Sequence, residues 1–115
     1  MSEQIGYERV QSTLVLHLPR EIDHHSSKEI RERTEEYLRE SYIRHIVFDF
    51  SQTTFMDSSG IGAILGRYKR MREKGGSVMI CGADERIRRI LHISGVDKLI
   101  PEVERDGQEL PADEK

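Results

Sequence analysis

The sequence predicts an α/β fold: a small mixed β-sheet packed with α-helices in a single domain. Three observations predict it. Short apolar or alternating runs recur between segments of helical spacing, Ser and Asp caps precede the helical segments, and 115 residues suffice for one core but not for two. Strands alternating with helices imply parallel pairs joined by right-handed crossovers.

Leu14, Leu16 and Leu18 alternate through Thr13–Leu18, the period of a half-buried strand. A short strand at Tyr7–Val10 precedes it, with Gln11-Ser12 as the turn, so this hairpin adds antiparallel pairing to the sheet. Ser26 followed by Glu29 has capping-box spacing and predicts a helix start at Ser26. That helix carries an inward stripe of Ile30, Thr34, Tyr37 and Leu38 and ends near Ser41. His45–Phe50 is β-branched and aromatic with apolar residues on both faces, as a central strand requires.

Phe55-Met56-Asp57-Ser58-Ser59-Gly60 leads from a loop into a second helix, from about Ser58 to Lys74. Ile61, Ile64, Leu65, Tyr68 and Met71 fall at helical spacing, and Gly75-Gly76 stops it. Ser77–Cys81 reads as another buried strand, and Asp84 caps a third helix with Ile87, Ile90 and Leu91 inward. A last short strand is expected at Leu99-Ile100. The domain is expected to span residues 1–105, and residues 106–115 to be a mobile acidic tail with almost nothing to bury.

Composition removes several functions. A net charge of -3 with pI near 6.0 lacks the clustered basic field that nucleic-acid binding needs. The single cysteine, Cys81, allows no intrachain disulfide and reads as an inert core residue. No apolar run approaches the roughly 18 residues that cross a bilayer, and the first residues have no signal-peptide pattern, so a cytoplasmic location is expected. His24-His25 beside Asp23 do not make a metal site, because adjacent histidines diverge and no further ligand stands at metal spacing. Ser58 as a hydrolase nucleophile would need Gly two residues earlier, where Met56 stands. No cofactor is implied, and no Gly-rich phosphate loop of the usual spacing is present.

The candidate site is Asp57-Ser58-Ser59-Gly60. At a helix start the first backbone amides lack intrahelical partners and carry partial positive charge, so a hydroxyl there is exposed and suited to holding a phosphate. Ser59, Gly62, Ala63 and Gly66 read as a small-residue face opposite the apolar stripe. Two glycines in an exposed helix give up about 2 kcal/mol relative to alanine, a local cost that points to a flat docking surface. The same residues also suit a plain N-cap, by Asp57 or Ser58. The basic residues of the second and third helices read as solvated faces, some of which could meet an acidic partner, with Arg67 nearest the docking face.

The run Phe55–Gly62, continuing through Ile64-Leu65-Gly66-Arg67-Tyr68-Lys69, resembles the signature of the STAS-domain anti-sigma factor antagonists of sporulation. Glu21-Ile22-Asp23-His24-His25, Ile43–Val47 and Ser94-Gly95 extend the resemblance over residues 7–100. Pro19-Arg20 stand where that family usually has Gly. The resemblance implies a non-enzymatic switch. Its serine, here Ser58, is phosphorylated by the partner anti-sigma factor, an ATP-dependent serine kinase, and restored by a serine phosphatase. Only the unphosphorylated form displaces the sigma factor. The expected partner surface comprises Asp57, Ser58, Ser59, Gly60, Gly62, Ala63, Gly66, Arg67 and Asp23, and the resemblance also places Asp57 at the partner interface. An antagonist in a stress-response or other sigma pathway is the alternative.

Overall fold

In the computed structural model, which describes residues 5–104, the alternating leucines form a strand. Gly6–Val10 (β1) and Thr13–His17 (β2) make an antiparallel hairpin turned at Gln11-Ser12. The chain continues through Glu21–Ile22 (β3), His24–Glu40 (α1), His45–Asp49 (β4) and Phe55–Met56 (β5). Ser58–Glu73 (α2), Ser77–Cys81 (β6), Glu85–Ile93 (α3) and Val96–Leu99 (α4) complete it.

The main sheet has the order β1-β2-β4-β6, with β1 antiparallel and the other pairs parallel, the mixed arrangement that a hairpin followed by crossovers produces. Strand alternation divides the sheet into two faces. Leu14, Leu16, Ile46, Phe48, Val78 and Ile80 form one core with Ile30 and Leu38 of α1, Ile64 and Met71 of α2, and Ile87 and Leu91 of α3. Val15, Val47, Met79 and Cys81 form a smaller cluster on the reverse face, with Val103 packed against it. Strand β4 is therefore buried on both sides, and Cys81 is a core residue.

Two expectations are corrected. Helix α1 begins before Ser26: Asp23 is the N-cap, its Oδ1 accepting from the Ser26 amide at 3.0 Å while the Asp23 amide donates to Ser26 Oγ at 2.9 Å. Pairing of Ile22 in β3 fixes the extended backbone up to Asp23, so the reciprocal cap forms there, and Ser26, 8% exposed, becomes the third helical residue. Leu99-Ile100 is not a strand. Gly95, at φ 84°, ends α3 in the left-handed region and lets the single turn α4 follow. In that turn the Ile100 amide donates to the Val96 carbonyl at 2.9 Å, and Val96 and Ile100 are buried while Leu99 stays half exposed. The chain rejoins β6 later, in a parallel bridge of Glu102 with Ile80. The expected acidic tail at 106–115 lies outside the described residues.

Candidate functional site

The site is set by the two-residue strands β3 and β5, which pair in parallel as a separate small sheet with Ile22 opposite Met56. The Asp57 amide donates to the Ile22 carbonyl at 3.1 Å. Thr54 and Phe55 amides donate to the Arg20 carbonyl, and the Thr53 hydroxyl to the Pro19 carbonyl at 2.8 Å, so the Pro19-Arg20 turn is tied to the segment before β5. Asp23 and Asp57 each follow a paired residue and each cap a helix, so the starts of α1 and α2 lie side by side.

At the start of α2 the capping is done by Asp57, not by Ser58. Its backbone is extended, and its Oδ1 accepts from the Ser59 amide at 2.9 Å and the Gly60 amide at 3.2 Å. Ser58 is thus the first helical residue, exposed, and none of the hydrogen bonds among the described residues uses its hydroxyl. Asp23 does the same work on α1, and the Ser26 amide and hydroxyl hold its carboxyl below the ordinary range. Both carboxylates keep the negative ends of their hydrogen bonds at the positive ends of the helices.

The small residues of α2 do not share one face. Ala63 is fully buried in the main core, which corrects its assignment to an outward surface. Gly60 is buried too. A Cβ there would stand 2.6 Å from Met56 Cγ and 2.8 Å from Ile22 Cγ2, so its bareness lets α2 sit against the β3-β5 pair. Ser59 is half-buried between these sides. Gly62 and Gly66 differ: an added Cβ would meet nothing within 4 Å. They, with Ser58, leave a shallow strip open to solvent. Phe55, 49% exposed, stands just before it.

Arg67 turns away from this strip. Its Nη1 donates to Glu35 Oε1 of α1 at 2.8 Å, and Arg70 donates to Glu35 Oε2 at 3.1 Å. These donors, Arg67 foremost, hold the Glu35 carboxyl below its ordinary range. The triad ties α2 to α1 and so belongs to the scaffold of the site. On the other side, Arg86 and Arg89 of α3 line a cleft with Thr54, Asp84 and Glu85, near the start of β5. Arg88 points elsewhere and forks onto Glu102. Among the described residues no group of three His, Cys, Asp or Glu is arranged to hold a metal, and no helix is long and apolar enough to cross a membrane.

Residues 4–109 match the model of the STAS domain family. An anti-sigma F factor antagonist of Paenibacillus polymyxa is 39% identical over 88% of this chain and 86% of its own length. The chain belongs to the STAS-domain anti-sigma factor antagonists. An anti-sigma-B factor antagonist of Listeria monocytogenes is 28% identical over 70% of this chain and 69% of its own. Among solved structures, the anti-sigma factor antagonist SpoIIAA in its unphosphorylated form superposes with a TM-score of 0.81 at 26% identity, over 90% of both chains. The Bacillus cell fate determinant SpoIIAA in its phosphorylated form gives 0.73 at 25% identity, over 90% of this chain and 94% of that one. The STAS fold expected from the sequence is therefore present.

What sequence reasoning missed is the β3-β5 pair that brings Asp23 beside Asp57. Two-residue strands are too short to show a period. The available signal was indirect: Glu21-Ile22-Asp23 and Phe55-Met56-Asp57 share an apolar residue directly before a cap.

Proposed function

We propose that the unphosphorylated chain binds an anti-sigma factor that is also its ATP-dependent serine kinase, so that a sigma factor is released, and that phosphorylation of Ser58 ends this binding. A serine phosphatase resets the switch. The protein acts in the cytoplasm, by binding and not by catalysis. The observation that carries the reading is the start of α2. Asp57 supplies the cap, so the exposed Ser58 hydroxyl is left for modification at a helix end that tolerates an anion. The likeness to an anti-sigma F factor antagonist, and to SpoIIAA in its phosphorylated form, supports the same reading.

Docking is proposed to run from Asp23, Asp57 and Ser58 along Gly62 and Gly66. Ser59 contributes at its edge; Gly60, Ala63 and Arg67 hold the strip in place from behind. The direct test is isothermal titration of the unphosphorylated protein into the anti-sigma factor of its own organism, alone and loaded with sigma factor. Binding with release of sigma is the expected result. Binding to neither form would overturn the reading. The identity to a sigma-B antagonist keeps a stress-response pathway as a second reading, and titration against both classes of anti-sigma factor separates them.

The strip makes a prediction of opposite signs. Because a Cβ at Gly62 or Gly66 meets nothing within 4 Å, Gly62→Ala with Gly66→Ala should stabilise the isolated protein by up to about 2 kcal/mol in urea unfolding. The same pair should weaken partner binding about tenfold, since two methyl groups hold the partner off the helix. Higher stability with unchanged affinity would remove this strip from the interface.

A further inference from the structure

On the reverse face of the sheet, away from Ser58, one row of residues crosses all four main strands in register: Gly6, His17, Asp49 and Cys81. His17 sits in this row between two carboxylates on different strands. Its Nδ1 lies 2.8 Å from Asp49 Oδ2 on the central strand β4, and its Nε2 lies 2.9 Å from Glu8 Oε1 on the edge strand β1. A carboxylate only accepts, and a neutral imidazole has a single N–H. Both contacts can therefore be hydrogen bonds only when the ring carries both protons.

We propose that His17 is a proton-operated clasp that fastens the edge strand β1 to the central strands while its ring is doubly protonated, and releases the Glu8 end when it loses a proton. The two ends are unequal. The Asp49 side chain is 4% exposed and that of Glu8 is 56% exposed. On deprotonation the remaining N–H stays with buried Asp49, which has no water to turn to, and Glu8 is repelled by the bare ring nitrogen and goes to solvent. Asp49 has a further duty, because its Oδ1 accepts from the Ser51 amide at 2.9 Å and from the Ser51 hydroxyl, fixing the turn after β4. The hydroxyl donates to Asp49 and not to the ring, so His17 does not activate it as a nucleophile.

The charged groups against the ring are Glu8 from β1 and Asp49 from β4. Ser51 from the following turn and Cys81 from β6 flank Asp49, and Gly6 of β1 lies opposite His17, close enough that an added Cβ would stand 3.3 Å from His17 Cβ. Partial burial opposes the charged ring, but the hydrogen bonds to Glu8 and Asp49 outweigh it and raise its titration above the ordinary histidine value of 6.5. The sign follows. A folded-state value above the unfolded one means that the clasp contributes fully below about pH 6.5 and is lost as pH rises through the elevated folded value.

The test is NMR on the intact chain. The His17 ring is titrated in wild type and Glu8→Gln, and hydrogen exchange of the β1 amides, corrected for intrinsic rate, is followed across the same pH range in wild type and His17→Gln. Glu8 is exposed, so Glu8→Gln leaves the core intact. The expected results are a lower His17 midpoint in Glu8→Gln, and β1 protection in wild type that falls about tenfold through the midpoint while His17→Gln stays flat. Equal midpoints in wild type and Glu8→Gln, or β1 protection independent of pH in wild type, would overturn the clasp.

Discussion

Ser58→Asp is expected to bind the anti-sigma partner roughly a thousandfold more weakly than wild type, and Ser58→Ala to bind as wild type does. The magnitude comes from burying an uncompensated charge in a desolvated interface, which costs about 4 kcal/mol and converts to about a thousandfold in Kd. The local environment makes the loss one of binding and not of folding. An anion at the first residue of α2 lies at the positive end of the helix, so the isolated variant should melt close to wild type. The nearby Asp57 and Asp23 carboxylates offer no neutralisation, and Arg67 is held by Glu35. Calorimetric titration of the three proteins, each checked for its melting temperature, measures this. Equal affinity for Ala and Asp would remove Ser58 from the contact surface.

Gly60→Val should cost about 3 kcal/mol or more of folding stability, read as a shift of the urea midpoint at constant slope. The first added carbon would lie 2.6 Å from Met56 Cγ and 2.8 Å from Ile22 Cγ2, and neither is the free end of a mobile chain. Both neighbours are buried and come from the strands that place Asp23 and Asp57, so relief must come from parting α2 and the β3-β5 pair. Gly60→Val should therefore lose partner binding along with stability, whereas Gly62 and Gly66 accept methyl groups with a gain in stability. An unchanged urea midpoint would mean that α2 does not rest on Ile22 and Met56 as described.

The strands β2, β4 and β6 and the helices α2 and α3 were legible because several apolar residues in each obey one period, and the serine at the start of α2 was legible because its cap and its glycine stop bracket the helix. The start of α1 was not settled by pattern alone. Asp23 with Ser26 and Ser26 with Glu29 both have capping spacing, and the pairing of Ile22 with Met56, a contact 34 positions apart, decides between them. The small residues of α2 were misread together because a missing side chain has two opposite causes. Gly60 and Ala63 are small because neighbours press on them, Gly62 and Gly66 although nothing does. Arg67 was read by its position along the helix, but its destination depends on Glu35, a residue of another helix. The Glu8, His17 and Asp49 contacts likewise join three strands, so no local pattern announces them.

The most direct measurement of the proposed switch is mass spectrometry of the protein after incubation with its anti-sigma partner and ATP, with wild type and Ser58→Ala run side by side. The account predicts one added phosphate on wild type, mapped to Ser58, and none on the variant. The same phosphate on both proteins, or none on either, would contradict it.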